Sequence, residues 1–291
     1  ILFEIQNNEK RKCALHGDPT KPVSCQEVAA NAFSISIQYD PDNERAKHML
    51  ASITADATMT RASNSYIKTL FDDYAHNFEH SLVDELGYNG YERLRRVFDR
   101  AFGGSNNVPS FSLVIDAGCG TGLAGEQFRN VSDYLIGVDL SEAIVEESKQ
   151  KRPNLYNETI VGDLTAVFQS RAPISLIVAA DSYIYFGDLV PLFSSMQNGL
   201  AEGGHAAFTL ENVSEENEKL LDTTSPDWRW QLTPSGRFAH RKSYVEKVAS
   251  DHQLNLVRYE ELDNFRKESG QGVRGHVFVL RKNGQSKTDE L

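Results

Sequence analysis

The chain is poor in cysteine, in long apolar runs and in positive charge. Its three cysteines show no C-x-x-C or Cys/His spacing, so we predict neither a disulfide framework nor a metal site. No apolar run is long enough for a membrane span, and no signal peptide is visible. Acidic residues outnumber basic ones by 41 to 30, for a formal net charge of −11. Because phosphate binding needs a clustered basic surface, neither a nucleic acid nor a membrane is an expected partner.

The remaining composition is that of a soluble globular enzyme. With 291 residues, of which 40% are hydrophobic, the chain can bury a sizeable core and has room for one domain plus an appendage. We expect a cytoplasmic protein, and the sequence favours no oligomeric state. The last four residues, Thr-Asp-Glu-Leu at 288–291, approach the endoplasmic-reticulum retention signal but lack its usual first residue. Retention in the endoplasmic reticulum is therefore the alternative to a solvated polar tail over residues 283–291.

The stretch 114–122 carries the strongest signal in the sequence. An apolar strand runs into Gly-Cys-Gly-Thr-Gly at 118–122, and a helix is expected from about Leu123. Glycines lack the Cβ atom that would keep the backbone from a ligand, and they permit the positive φ of tight turns. The N-terminal amides of the next helix point at whatever lies there. The pattern predicts a nucleotide-binding corner, although tight strand-to-helix turns also occur for purely structural reasons.

Acidic residues recur where the next apolar strands end. Asp139 follows the second strand, where an acidic side chain can accept both hydroxyls of a ribose, and Leu140 beside it could cover a purine face. Asp163 and Asp181 follow the third and fourth strands. Because the carboxyl ends of parallel strands border one crevice, we expect Asp116 and these three acids to line one site. The alternative for Asp139 and Asp163 is an ordinary turn acid.

The glycine spacing distinguishes two classes of nucleotide-binding enzyme. It reads G-x-G-x-G rather than the dinucleotide fingerprint G-x-G-x-x-G, and no Arg or Lys lies nearby for a pyrophosphate, which disfavours a dehydrogenase. Residues 115–122, Ile-Asp-Ala-Gly-Cys-Gly-Thr-Gly, instead resemble the first motif of the class I S-adenosylmethionine-dependent methyltransferases. The resemblance covers about residues 111–281.

This resemblance implies S-adenosylmethionine as cofactor and S-adenosylhomocysteine as product. The glycine turn would hold the methionyl part, with Asp116 near its ammonium group, directly or through water. Asp139 would bind the ribose hydroxyls and Asp163 the adenine amino group. The implied cofactor site comprises Asp116, Gly118, Cys119, Gly120, Thr121, Gly122, Asp139, Leu140, Gly162, Asp163, Leu164 and Ala180.

The chain before residue 110 is predicted to be helical. Apolar spacing indicates helices over 27–38 and 44–54, joined by an Asp-Pro-Asp-Asn turn, and this unit resembles a tetratricopeptide repeat. The aromatic-rich segment 66–79 resembles the lead-in helices of methyltransferases predicted to carry such repeats. That resemblance implies a helix over the cofactor cleft, so Tyr74 is a candidate for catalysis and for substrate contact, and Tyr66 for substrate contact. The alternative is an amphipathic helix packing Leu70, Tyr74 and Phe78 on a core.

Two later segments are predicted to form the methyl-transfer edge. Tyr183 and Tyr185 follow the fourth strand, where aromatic walls would position the substrate and favour a cationic sulfonium. Residues 228–240 are expected to form an ordered loop across the site, and the family resemblance includes the run 236–240. Arg237 would bind a substrate carboxylate, and His240 would accept a proton from the nucleophile. The alternatives are a loop-anchoring salt bridge for Arg237 and a helix N-terminal histidine for His240.

These observations predict an α/β fold, with a Rossmann-like, seven-stranded, mostly parallel sheet, helices on both faces and an N-terminal all-helical lid. The expected divisions are a tetratricopeptide-like region (1–62), lid helices and linker (63–110), a methyltransferase domain (111–282) and a tail (283–291). The predicted function is methyl transfer from S-adenosylmethionine to a small, carboxylate-bearing metabolite with an O, N or S acceptor. The alternative is a non-catalytic scaffold or sensor that binds S-adenosylmethionine and docks a protein partner through its N-terminal helices.

Overall fold

The computed structural model of the chain describes residues 12–13, 23–213, 229–268 and 271–284. The tail sequence at 288–291 lies outside the described residues. Cys25 is disulfide-bonded, although the cysteine spacing indicated no disulfide framework, and Cys119 is a buried free thiol. Among the described helices, none combines the length and the apolar character that crossing a bilayer requires.

The N-terminal part begins with two short strands and two helices. Strands β1 (Lys12–Cys13) and β2 (Val23–Ser24) pair antiparallel and lead into α1 (Cys25–Tyr39) and α2 (Glu44–Thr54). Ser24 and Glu27 form a reciprocal capping box at the start of α1, and the Asn43 side chain caps α2. Both helices lie where the apolar spacing predicted them. Their likeness to a tetratricopeptide repeat stays a prediction.

A second helical part connects these helices to the sheet. It comprises α3 (Asn64–Tyr74), a 3-10 turn (Ala75–Asn77), a π-helical segment (His80–Glu85) and α4 (Gly90–Ala101). The Ser63 hydroxyl caps α3 by accepting the Tyr66 N–H. Irregular π-helical turns recur at functional sites.

The central sheet contains the strands β3 Val114–Ala117, β4 Leu135–Asp139, β5 Glu158–Val161, β6 Ile174–Ala179, β7 Leu200–Asn212, β8 Trp230–Leu232, β9 Phe238–His240, β10 Leu254–Glu268 and β11 Gln271–Lys282. Its main path follows the order β10-β11-β7-β6-β3-β4-β5. Strands β3 to β7 run parallel, while the long β10–β11 hairpin pairs antiparallel with β7. The helices between them are α5 Leu123–Phe128, α6 Glu142–Lys151, α7 Leu164–Ser170, α8 Val190–Gly199 and α9 Lys242–Asp251.

Apolar packing on both faces of the sheet explains its continuous hydrophobic strands. All residues of β3 and β4 are buried, as expected for parallel strands covered by helices on both sides. One buried cluster joins the sheet to α7, α8 and α9, and another joins it to α4 and α5. The layered, mostly parallel Rossmann-like architecture predicted from the sequence is confirmed.

The strand count differs from the predicted seven, because the described residues form a nine-stranded sheet. The extra strands, β8 and β9, lie in the segment predicted to be a loop. Gly236, with φ of +81°, lets the chain reverse between them, and β9 then pairs parallel with the end of β7. Each strand has three residues, which is too short for apolar alternation to be visible in the sequence.

Candidate active site

A cleft lies at the carboxyl edge of β3, β4 and β6. It encloses about 960 Å³ of space not filled by atoms, including space open to solvent. Its walls come from the glycine turn, from the strand ends and from the helical segment 61–91. Ten predicted site residues line it: Gly118, Cys119, Gly120, Thr121, Asp139, Leu140, Leu164, Ala180, Tyr185 and Arg237.

The glycine turn packs directly on the chain that follows β6. Gly118 has φ of +75°, and a Cβ atom placed there would lie 2.3 Å from the Ser182 Cβ. The Ser182 hydroxyl donates a hydrogen bond to the Ala117 carbonyl at 2.6 Å, which fixes the contact. Only glycine satisfies both the backbone angle and the close approach. The turn therefore leaves open backbone facing the cleft.

Asp139 connects the end of β4 to the glycine turn. Its Oδ2 accepts the Gly120 N–H and its Oδ1 accepts the Ser141 N–H, both at 3.0 Å. Burial raises the pKa of this carboxyl above its usual value. Because each carboxylate oxygen has two acceptor sites, Asp139 retains capacity for hydroxyl donors in the cleft. Its predicted role in binding the ribose hydroxyls stays a prediction.

Asp116 does not line the cleft. It is fully buried, and its Oδ2 accepts the Tyr156 hydroxyl hydrogen at 2.6 Å. Burial raises the pKa of Asp116 to about 7. The side chain therefore supports the turn from within the core, and the predicted contact with the methionyl ammonium is not supported. Gly122 and Gly162 also lie outside the cleft lining.

Asp163 binds the chain at the start of α3 and does not line the cleft. Its Oδ1 caps α7 by accepting the Thr165 N–H at 2.9 Å and the Thr165 hydroxyl hydrogen at 2.5 Å. Its Oδ2 accepts hydrogen bonds from Arg61 and from Asn64 Nδ2, the latter at 3.1 Å. These hydrogen bonds lower the pKa of Asp163 to about 2, against the opposing effect of burial. With four donors already bound, its carboxylate has no site for the predicted adenine contact.

Of the four predicted tyrosines, Tyr185 alone lines the cleft. Tyr183 is completely buried in the core, with its hydroxyl 3.5 Å from the Met196 sulfur. Tyr74 is 50% exposed at the end of α3. Helix α3 instead presents Ile67 and Phe71 to the cleft, four residues apart on one face. The predicted contacts of Tyr74 and Tyr183 with substrate are therefore not supported.

Tyr66 acts behind the cleft by supporting the turn that carries Arg237. Its ring stacks on His48 of α2 with 4.0 Å between centroids. His48 Nε2 donates a hydrogen bond to the Gly236 carbonyl at 2.7 Å, and burial lowers the pKa of this imidazole. Arg237 itself lines the cleft and hydrogen bonds with Tyr185. Helices α2 and α3 thus fix the position of a cleft-facing cation.

His240 is placed away from the cleft and cannot serve as the predicted general base. It is fully buried in β9, and its Nε2 donates to the Gly187 carbonyl at 3.1 Å. Burial lowers the pKa of His240 to about 3, so the ring stays neutral. Pairing of β9 with β7 buries His240. The sequence did not predict this pairing because β9 has only three residues.

Sequence reasoning missed a buried ionic cluster beside the cleft. Asp181 lines the cleft, and both of its carboxylate oxygens accept from Arg266 Nη1, at 2.9 and 3.0 Å. Arg266 is fully buried and also pairs with Glu211 at the end of β7. Asp181 was predicted to line the site as a strand-end acid, whereas Arg266, which lies in β10, was not among the predicted site residues. Its contact depends on the register of the antiparallel hairpin, which the sequence pattern does not fix.

Comparison with known proteins shows similarity to methyltransferases. Residues 114–204 match the family described as "Methyltransferase domain". A similar curated protein is the 18S rRNA (guanine-N(7))-methyltransferase of Bos taurus, 29% identical over 122 residues, or 38% of this chain and 43% of that protein. Another is the malonyl-[acyl-carrier protein] O-methyltransferase of Salmonella typhimurium, 25% identical over 146 residues, or 50% of this chain and 53% of that protein. The chain spans about half the length of these relatives.

Solved structures show the same fold. Magnesium protoporphyrin IX methyltransferase from Synechocystis PCC 6803, with bound S-adenosylhomocysteine, superposes with a TM-score of 0.55 at 15% identity, over 76% of this chain and 99% of that one. This likeness shows the fold that the sequence predicted. The match over residues 114–204 supports the predicted methyltransferase class.

Proposed function

We propose that this protein transfers the methyl group of S-adenosylmethionine to a small acceptor that carries a carboxylate. The observation that supports the proposal is the polarity of the cleft along the sheet. Asp139 and the glycine turn stand at β4 and β3, whereas Arg237 precedes β9, which pairs with β7 on the other side of β3. Asp139 thus lies in the cofactor part of the cleft, and the cation Arg237 lies in the part left for the acceptor.

The residues of the cofactor half fit S-adenosylmethionine. The glycine turn offers backbone where a Cβ atom would collide, and Asp139 retains acceptor sites for ribose hydroxyls. The cofactor supplies a methyl group already activated on a sulfonium. The chain has to hold the two reactants in line and exclude water, and orientation of this kind can provide about 7 to 11 kcal/mol. Tyr185 and Phe71, whose rings lie 5.8 Å apart edge to face, form part of the apolar wall that does so.

The N-terminal helices belong to the cleft in this account. Arg61, Ile67 and Phe71 line it, and His48 holds the turn of Arg237. A region that served solely to dock a protein partner would have no reason to supply these cleft walls. The helices therefore act as a lid that limits the acceptor to a small molecule.

Arg237 is the residue through which the acceptor class can be tested. A guanidinium binds a carboxylate through two parallel hydrogen bonds, and charge-assisted bonds of this kind contribute about 1.5 to 3 kcal/mol. Arg237→Gln should therefore lower kcat/KM for carboxylate acceptors by about 10- to 100-fold, while the affinity for S-adenosylhomocysteine stays within about threefold of wild type.

The experiment measures transfer of labelled methyl from S-adenosylmethionine to a panel of short amino, hydroxy and thioether carboxylates and to their neutral carboxamides. Arg96→Gln, at an exposed site on α4, is the matched control and should behave as wild type. Equal transfer to the carboxamides, or no transfer to any carboxylate, would refute the proposed acceptor class.

A further inference from the structure

We propose that Asp181 is the group that receives the acceptor, and that the acceptor atom is an amine nitrogen whose N–H bonds point at the Asp181 carboxylate. This inference rests on the proposed function and narrows it from O, N or S acceptors to one. Three observations support it: the position of Asp181 at the cleft, its buried partners Arg266 and Glu211, and the net negative charge of this cluster.

Asp181 occupies a strained position that the surrounding structure enforces. Its backbone has φ of +59°, in the left-handed region that non-glycine residues rarely adopt. Its N–H donates to the Thr209 hydroxyl at 2.8 Å, and Thr209 is fully buried in β7. Strain of this kind persists where packing over-determines the conformation, and it clusters at functional sites. The result is a carboxylate aimed from the end of β6 into the cleft lining.

The partners of Asp181 leave an excess negative charge at the cleft. Arg266 has no exposed side-chain surface and is shared between Asp181 and Glu211, whose side chains are 11% and 4% exposed. Two carboxylates against one guanidinium give the cluster a formal charge of −1. Asp181 is its one member that lines the cleft. Because each oxygen of Asp181 is bonded to Arg266 once, each keeps an acceptor site for a donor in the cleft.

The strand order places this carboxylate beside the methyl donor. Asp139, which fits the ribose, ends β4, and the glycine turn, which fits the methionyl part, follows β3. The next strand in the sheet is β6, and Ser182 after it touches Gly118. Asp181 therefore lies where the cofactor half of the cleft meets the acceptor half that leads to Arg237.

An amine suits this arrangement better than the other acceptors. Its lone pair forms the new N–C bond while the C–S bond breaks and its electron pair passes to sulfur. The positive charge moves from sulfur to nitrogen, no proton leaves in the step, and the N–H groups donate to Asp181 more strongly as the charge grows. A hydroxyl would have to pass its proton to Asp181, whose two oxygens already accept from Arg266, because the buried His240 does not line the cleft. A thioether offers no hydrogen for the carboxylate.

The test uses sinefungin, the analogue of S-adenosylmethionine in which an amino-bearing carbon replaces the methyl-bearing sulfonium. Wild-type protein should bind it at least about 10-fold more tightly than S-adenosylhomocysteine, because its ammonium meets Asp181. Asp181→Asn should remove about 10- to 100-fold of that preference while leaving S-adenosylhomocysteine affinity within about threefold. Asp133→Asn, at an exposed site, is the matched control.

The outcomes separate this inference from the proposed function. Absence of S-adenosylhomocysteine binding by the wild type would overturn the proposed function and this inference with it. Binding of S-adenosylhomocysteine without a preference for sinefungin, or with a preference that survives Asp181→Asn, would overturn this inference alone. The substitution brings the formal charge of the cluster to zero, so the fold should be retained. Should the variant not fold, the absence of a sinefungin preference in the wild type would still overturn this inference.

Discussion

From the contact of Asp163 with Arg61 we predict how the segment before α3 is attached to the sheet domain. The two side chains are 18% and 32% exposed, and Arg61 also lies 4.4 Å from the centre of the Phe186 ring. Arg61 lines the cleft, whereas Asp163 does not. Substitution of either residue should therefore loosen the same attachment of the N-terminal helices, and the two substitutions should not add.

The expected losses of unfolding free energy follow from the interactions that each substitution removes. Asp163→Ala removes the cap of α7, worth about 1 kcal/mol, and a partly screened ion pair, worth about 1 kcal/mol. Arg61→Ala removes the same ion pair and a cation–π contact worth about 0.5 to 1 kcal/mol. Because the ion pair is counted in both, the double variant should lose about 2.5 to 3 kcal/mol of unfolding free energy, about 1 kcal/mol less than the sum.

Urea denaturation of the wild type, both single variants and the double variant measures this coupling. Calorimetric titration of the same four proteins with S-adenosylhomocysteine measures the affinity of the cleft for this ligand. Asp163→Ala should not lower the affinity further once Arg61→Ala is present, because Asp163 acts through Arg61. A coupling energy of zero would show that the ion pair does not form. A further loss of about 10-fold or more in the double variant would show that Asp163 binds adenine directly.

Two further predictions concern the glycine turn and the buried histidine. Gly118→Ala should lower the unfolding free energy by about 2 to 4 kcal/mol and the affinity for S-adenosylhomocysteine by at least about 10-fold. The control is Gly104→Ala, at a residue with φ of +128° and no atom within 4 Å of the added Cβ, which should be destabilised by backbone strain alone. Equal effects of the two substitutions would refute the steric argument. Because the folded-state pKa of His240 is depressed to about 3, the unfolded state binds its proton first, and stability is lost as pH falls below 6.5. Between pH 6 and 4, urea denaturation should show wild type losing about 1.4 kcal/mol per pH unit relative to His240→Gln, and a difference independent of pH would contradict a neutral buried ring.

The cofactor half of the site was predictable because its determinants are local. Gly118, Gly120 and Asp139 lie within one strand-turn-helix-strand unit, and the strand ends that carry them are fixed by the parallel sheet. The alternation of apolar strands and helices likewise gave the layered fold.

The acceptor half depends on long-range register. His240 sits in a three-residue strand paired with β7, and Arg266 reaches Asp181 across 85 positions of the chain. Tyr74 and Asp163 are residues of the expected type, but neither lines the cleft. Tyr74 lies half exposed at the end of α3, and Asp163 is paired with Arg61. The disulfide of Cys25 has no spacing signature in the sequence. Side-chain direction and non-local pairing were thus the missing information.

The most direct test of the central claim is calorimetric titration of the purified chain with S-adenosylmethionine and S-adenosylhomocysteine, with NAD(H) as the control ligand. The purified chain should bind both sulfur cofactors with micromolar affinity, Asp139→Ala should lose that binding, and NAD(H) should not bind. Absence of binding by either sulfur cofactor, or an affinity unchanged by Asp139→Ala, would contradict the assignment of the cleft.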